Sequence, residues 1–327
     1  MKKIWKRTAG CLVIALGVLV LSEYVGTVLN PEYTDGAMDT IEAFHELPPD
    51  SAEVIVYGSS VAWRGFDPME MYRKHGIAAY NYACNWQRLN TTLLFLQDSF
   101  RTQSPKVALV ETFKVGEVLE DTDLNGEIYY TKAISDFKGK RDYLRQCFGT
   151  DIGRYLSYYM PLSVFHENWN IVGRENFLPH ETESCLARMG YAGGSDEAVE
   201  VTISDYTTFQ QGELSEETRE VLDTMVRLCR ENDVQLIFYA APYEGECDSI
   251  DAMRAYAEEN GCVYLNLFEK AEEMGIDAGT DFSDWAHLNG SGARKTADYL
   301  GAYIAERYDV TDMRKVPGNL WEKALSQ

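Results

Sequence analysis

Between Glu53 and Thr112 the chain changes its hydrophobic period four times, and that alternation restricts the fold more than any other feature. "AEVIVYGSS" is a short β-branched and aromatic run, and "DPMEMYRKHG" has helical spacing, opened by Asp67-Pro68 and closed by Gly76. "IAAYNYA" is extended again, "QRLNTTLLFLQDSF" helical and "KVALVET" extended. Strand, helix, strand, helix and strand in quick succession imply a parallel sheet joined by right-handed crossovers. After Phe113 the pattern dissolves into aromatic-rich text such as "RYLSYYMPLSVFHENWN". It resumes in "SEETREVLDTMVRLCRENDV", where Val221, Leu222, Met225, Val226 and Cys229 keep helical spacing. "VQLIFYAAP", "IDAMRAYAEENG" and "CVYLNL" then read as strand, helix and strand, followed by a last helix from about Gly290 to Tyr308. The expectation is an α/β fold with five parallel strands and a large, mostly helical insertion, about 114–212, after the third. "DMRKVPGNLWEKALSQ" reads as a surface tail.

At 327 residues, a single α/β domain with a large insertion accounts for the whole chain. Its start, "MKKIWKRTAGCLVIALGVLVLSEYVGTVLN", is a basic cluster followed by an apolar stretch from Ala9 to Leu29 that only Glu23 interrupts. The stretch from Ala9 to Ser22 is short for a membrane span and suits a signal peptide, whereas counting on to Leu29 gives the ~20 residues a span needs. No small-x-small cleavage site precedes Asn30, which favours an uncleaved anchor over residues 1–30, with 31–327 outside the cytoplasm by the positive-inside rule. Cys11 precedes the apolar run, on the wrong side for lipid attachment. The net charge of −22 argues against nucleic acid, which needs clustered cations. The cysteines, at 11, 84, 147, 185, 229, 247 and 262, form no C-x-x-C pair and no metal-ligand spacing, so neither a metal nor another cofactor is expected. Cys229 and Cys262 read as buried thiols, with Cys247 to Cys262 a candidate disulfide in an oxidising compartment.

In open parallel sheets functional groups collect at the carboxyl ends of the strands. There the first strand delivers Gly58-Ser59-Ser60, the second Ala83-Cys84-Asn85, the third Glu111-Thr112, and "DFSDWAHLNGSG" leads into the last helix. A serine hydroxyl needs an adjacent base to act as a nucleophile, and the base needs an orienting acceptor. Ser60, His287 and Asp284 supply these roles; Ser59 or Ser60 can equally be a helix cap, and Asn289 or Ser291 can cap the last helix. Trp63 and Trp86 flank the proposed site as candidate apolar neighbours of a substrate. In the insertion, Tyr129, Tyr130, Tyr143, Tyr155, Tyr158, Tyr159 and Trp169 either stack on sugars or, as their spacing favours, pack a small helical lid. His166 and His180 read as surface or lid-packing residues.

"YGSSVAWRGFDP" followed much later by "DWAHLNGSG" resembles the SGNH/GDSL hydrolase superfamily. The resemblance frames residues 53 to 111 and 215 to 307. It implies a flavodoxin-like three-layer sandwich with Ser60 as nucleophile, Asp284 and His287 as acid and base, and an oxyanion site built from Ser60, Ala83 and Asn85. "GSS", "FDP", "YNYA" and Gln87 resemble a membrane-anchored branch associated with acylation of bacterial envelope polymers. That branch implies an acylated glycan or other ester as substrate, a membrane-bound acyltransferase as candidate partner, and Gln87 and Glu111, with the two tryptophans, as candidate substrate contacts. This sequence departs from the pattern twice: Ala83 or Cys84 stands where the family has a glycine, and Glu111-Thr112 where it has an asparagine. Two readings follow, an esterase or O-acyltransferase, and a catalytically weak or inactive accessory protein.

Overall fold

The computed structural model describes residues 2–30, 36–113, 115–116, 130–177, 182–203, 213–245 and 249–326. At its centre β1 (Val54–Tyr57), β2 (Ala79–Asn81), β3 (Val107–Glu111), β4 (Gln235–Ala240) and β5 (Val263–Asn266) form one sheet in the order β2-β1-β3-β4-β5, every pair parallel. This flavodoxin-like order places a topological switch between β1 and β3, where a ligand crevice opens at the carboxyl edge. The strands read as continuous apolar runs because both faces are covered. Ile55, Tyr57, Ala108 and Val110 pack to one side, and Val54, Val56, Val107 and Leu109 to the other.

The helices in chain order are α1 (Lys2–Val28), α2 (Ala37–His45), α3 (Ser60–Gly65), α4 (Pro68–His75), α5 (Leu89–Ser99), α6 (Phe137–Phe148), α7 (Ile152–Tyr159), α8 (Leu162–Phe165), α9 (Thr182–Ala187), α10 (Glu216–Glu231), α11 (Ile250–Glu259), α12 (Ala271–Met274), α13 (Gly290–Arg307) and α14 (Leu320–Leu325). One face of the sheet is covered by α2, α5, α10 and α11, the other by α3, α4 and α13. Their limits follow from local chemistry. Asp67 Oδ1 accepts from the Met69 and Glu70 amides at 2.9 and 3.3 Å, Pro68 opens α4, and Gly76 closes it at φ +75°. Ser215 caps α10 through the Thr218 amide at 3.1 Å.

Two elements differ from the sequence reading. Helix α2 has no counterpart in it, yet its Phe44 stacks on Tyr82 with ring centroids 4.0 Å apart. The carboxyl-terminal segment is no surface tail: Trp321 of α14 is buried in the core and its Nε1 donates to the Ala79 carbonyl at 2.8 Å. The segment docks because an indole offers both large apolar area and one donor, and the outer side of β2 leaves a carbonyl to receive it.

Helices α6 to α9 lie between β3 and β4; among the described residues helix predominates from Thr131 to Ala187, whereas 191–203 hold none. A buried carboxylate ties the insertion to the sheet domain. Asp98 Oδ2 accepts from His45 Nε2 at 2.7 Å and Tyr82 OH at 2.9 Å, while Oδ1 accepts from the Ser135 and Asp136 amides and the Ser135 hydroxyl at 3.0–3.1 Å. Burial pushes the Asp98 carboxyl up, but the hydrogen bond and charge of His45, with the other donors, outweigh it and hold it below the ordinary range. Asp98→Ala strands all of these donors and is expected to cost about 3–5 kcal/mol, measured as the shift in a urea unfolding midpoint.

Tyr143 and Tyr158 are buried within this helical region, whereas Tyr159 and Trp169 are exposed; Tyr129 and His180 lie outside the described residues. No disulfide joins the described cysteines: Cys229 is buried and Cys262 half-buried, both thiols free, and Cys247 lies outside the described residues.

From Trp5 to Val28, α1 is long and apolar enough to cross a membrane or to serve as a signal sequence. Its middle, Leu12 to Leu21, is bare, but Ser22, Val28, Leu29 and Asn30 are buried against the insertion. Leu29 packs on Phe165, Gly26 lies so close to Pro161 and Leu162 that no Cβ fits, and Glu23 forms an ion pair with Lys132. The side-chain amides of Asn168 and Asn176 donate to the Leu29 and Val28 carbonyls, both at 3.2 Å, satisfying acceptors that the end of the helix leaves open.

Candidate active site

Strand β1 ends at Gly58, whose φ of +144° suits glycine, and a Cβ there would sit 2.7 Å from the Glu111 Cβ. The sharp exit puts Ser59 at the cap of α3 and Ser60 at its first position. Ser59 Oγ accepts from the Val61 amide at 3.3 Å and donates to Glu111 Oε2 at 3.0 Å. Capping and presentation are therefore divided between the two serines. As the first residue of the helix, Ser60 has an amide with no intrahelical acceptor.

The second half of the site comes from the loop before α13. Asp284 Oδ1 accepts from the Ala286 and His287 amides at 2.8 and 3.0 Å, a tight turn that swings the ring back over the carboxylate. His287 Nδ1 lies 2.8 and 2.9 Å from the two Asp284 oxygens, and His287 Nε2 lies 2.8 Å from Ser60 Oγ. An ionised carboxylate only accepts, so the ring proton belongs on Nδ1, which leaves Nε2 to accept from the Ser60 hydroxyl. The three residues thus form one continuous hydrogen-bond chain, although Ser60 and His287 are 227 positions apart.

Electrostatics suit a base. Burial drives the His287 pKa below its ordinary value; Asp284 pulls it back up, and the Arg64 charge adds to the lowering. Burial also pushes the Asp284 carboxyl up, but hydrogen bonds from the His287 ring and the Ala286 amide prevail and hold it down. At neutral pH the pair is accordingly a neutral imidazole beside a carboxylate.

The surrounding loops are braced by residues that sequence reasoning assigned elsewhere or missed. Gln87 is buried and its Oε1 takes the Gly58 amide at 3.0 Å, which fixes the β1 exit. Glu111 is likewise turned onto Ser59 and the Phe113 amide, supporting the turn from behind. Trp63 is buried with Nε1 bonded to Thr40 Oγ1 at 3.1 Å, and reaches the site's surroundings only as one wall of a cavity. The Ala83 amide points at Asn81 Oδ1, 3.3 Å away, so it is already engaged within the loop. Asn85 is half-buried, with its carbonyl receiving Tyr130 OH at 2.8 Å. Trp86, in the same loop, is exposed with φ +55°, a conformation an aromatic residue seldom adopts.

Asn81 itself went unassigned as a site residue although "YNYA" stands out in the sequence. Its Nδ2 donates to the Ala62, Trp63 and Phe66 carbonyls at 2.9, 3.3 and 3.0 Å, clamping the far end of α3. Asn289 does the same for α13, accepting from the Ser291 and Gly292 amides and donating to the Thr280 and Glu197 carbonyls. The last stretch of the insertion is woven in here: the Gly290 amide donates to the Ser195 carbonyl, and Ala192 to that of Trp63. It closes a cavity of ≈ 330 Å³ lined by Trp63, Arg64, Gly193, Ser195, Ser283 and Leu288, which adjoins the histidine loop. Trp285, between Asp284 and His287, is exposed and was not singled out either.

No family model and no curated protein matches the sequence. Among solved structures, a Bacteroides fragilis protein described as a "putative acylhydrolase" is similar at 10% identity over 81% of this chain and 93% of its own, with a TM-score of 0.39. A likeness that distant assigns nothing to the present chain. Its own atoms define an α/β protein with a parallel five-stranded sheet, and a serine, a histidine and an aspartate joined in one hydrogen-bond chain at the sheet's carboxyl edge.

Proposed function

We propose that the protein is an SGNH/GDSL-type serine esterase or O-acyltransferase, held at the outer face of a bacterial cell membrane by α1. It acts on an acyl group, most simply acetyl, of an envelope or exported polysaccharide. The observation that carries this reading is the 2.8 Å contact of His287 Nε2 with Ser60 Oγ, backed by Asp284 on the other ring nitrogen.

In the first half-reaction His287 Nε2 takes the Ser60 proton as Oγ attacks the ester carbonyl. The tetrahedral oxyanion faces the Ser60 amide, with the Asn85 side chain as second donor in place of Ala83. Collapse expels the alcohol, which leaves with the proton from His287, and the acyl group stays on Ser60. In the second half-reaction His287 deprotonates water, giving an esterase, or a sugar hydroxyl, giving a transferase. A membrane-bound acyltransferase is the natural donor partner in the latter case.

Two tests apply. An acid-quenched incubation with an acetylated glycan is expected to show an acetyl-sized mass increment on the peptide carrying Ser60. The rate of serine labelling by a fluorophosphonate is expected to rise with pH to a plateau, with its half-point below about 6.5, the ordinary histidine value. The sign follows from the lowered His287 pKa: the base is lost only when acid protonates the ring below that point. A half-point well above it would remove His287 from the base role.

A second reading, a non-catalytic accessory protein that binds a polymer or an acyltransferase, draws support from Glu111 at the family's asparagine position and from the engaged Ala83 amide. It predicts a folded protein that takes up neither label.

A further inference from the structure

Where α1 meets the insertion, a second cavity of ≈ 270 Å³ is lined by Glu23, Lys132, Phe137, Lys140, Arg141, Tyr158 and Tyr159. It is remote in sequence from the serine site and shares none of its residues. Three cations face one carboxylate there, in a chain whose formal charge is −22. The lysines are fixed by aromatic faces, with Lys132 Nζ 5.2 Å from the Tyr158 centroid and Lys140 Nζ 5.8 Å from that of Phe137. Lys140 also donates to the Lys132 carbonyl at 3.0 Å, and Arg141 rests on Asp142 at the surface. Burial depresses the pKa of both lysines, more than Glu23 restores in the case of Lys132, so a further anion would relieve both.

The level of this cavity along α1 is informative. Glu23 is the first charge after the apolar run, and the helix changes from bare to packed at Ser22. Counted from Trp5, an aromatic residue suited to the opposite interface, the helix rises about 27 Å by Ser22, so a membrane crossed by α1 ends beside the cavity. Helix α7, adjoining, turns an apolar stripe outward: Ile152, Leu156 and Tyr159 are exposed at i, i+4 and i+7, Ile152 by 73%, while Tyr158 faces the core. Phe137 at the cavity rim is 84% exposed. Helix α6 carries Lys138, Lys140, Arg141 and Arg145 against one acid, Asp142. Exposed apolar side chains interleaved with cations next to a spanning helix are the composition of a surface that lies on lipid.

We propose that this cavity binds the phosphate headgroup of an anionic membrane phospholipid, with the outward stripe of α7 lying on the acyl chains beside α1. The proposal rests on the reading of α1 as a retained membrane span. It adds a second membrane contact, one that fixes the orientation of the domain, where a single helix alone would leave it free to tilt.

The test uses the full chain in nanodiscs of phosphatidylcholine, with or without phosphatidylglycerol, followed by hydrogen exchange and by native mass spectrometry of retained lipid. Expected is slowed exchange in 137–141 and 152–159 only when phosphatidylglycerol is present. In the Lys140→Gln/Arg141→Gln variant, phosphatidylglycerol retention is expected to fall roughly 25-fold, at about 5-fold per cation removed. An unchanged thermal midpoint establishes that the variant is folded, and Ile152→Ser/Leu156→Ser provides an independent surface variant expected to weaken the α7 protection. Equal protection in both lipids, or retention unaffected by the cation variant, overturns the headgroup site. Protection of the same residues by inorganic phosphate in detergent, with no gain from phosphatidylglycerol, overturns it in favour of a free anion. Amino-terminal sequencing that finds α1 removed from the mature protein overturns the anchor reading itself, since Glu23 then no longer walls the cavity; serine labelling reports on the catalytic reading separately.

Discussion

Fluorophosphonate labelling is expected to place a single adduct on the wild-type protein and none on Ser60→Ala, while His287→Ala slows labelling by about 10⁴-fold or more and lowers turnover of an ester substrate by about 10⁶. The magnitude follows from the geometry. At 2.8 Å from Oγ, His287 Nε2 is the only ring nitrogen among the described residues bonded to Ser60, and without it the hydroxyl must ionise at its own unfavourable pKa. Neither change should unfold the protein, because Ser59, not Ser60, caps α3, and Asn289, not His287, caps α13. Unchanged thermal midpoints alongside lost labelling separate chemistry from stability. A well-folded wild type that takes no label sinks the catalytic reading and leaves the accessory one.

Asp284→Asn is the second large effect, with turnover expected to fall by about 10⁴. The substitution keeps the loop, since an amide oxygen still accepts from Ala286 and His287 as Oδ1 does now. What it loses is the unambiguous acceptor for His287 Nδ1. An amide turned to present its Nδ2 donates to that nitrogen, moves the ring proton to Nε2, and so removes the lone pair that Ser60 needs. The effect should fall on kcat far more than on KM. Retention of near-wild-type turnover in a folded Asp284→Asn protein would show that the carboxylate only shapes the loop.

The sheet was legible in the sequence because buried parallel strands are continuous apolar runs, and Val54–Tyr57 and Val107–Glu111 offer nothing else to do with so many β-branched residues. The Ser60, Asp284 and His287 constellation was legible for a related reason: Ser60 directly follows a predicted strand, Asp284 and His287 directly precede the predicted helix from Gly290, and topology carries them to one edge. Individual side-chain directions were not. Gln87, Glu111 and Trp63 stand in the right loops, yet Gln87 and Glu111 turn inward to satisfy the Gly58 amide and the Ser59 hydroxyl, and Trp63 to bond Thr40. Such choices depend on which buried donors would otherwise be orphaned, and linear order does not reveal that. Trp321 was misplaced for the same reason, as its segment has an unremarkable polar composition and a partner carbonyl 242 residues away.

The separation of Ser60 from His287 also orders events in time. A ribosome adding about 5–20 residues per second takes roughly ten to forty-five seconds to pass from one to the other. Throughout that interval the newborn chain carries an ordinary alcohol, unable to attack any ester it meets. With Ser60 as the proposed nucleophile, reactivity arrives only when the loop before α13 brings His287 to it, a safety catch built into the order of the chain.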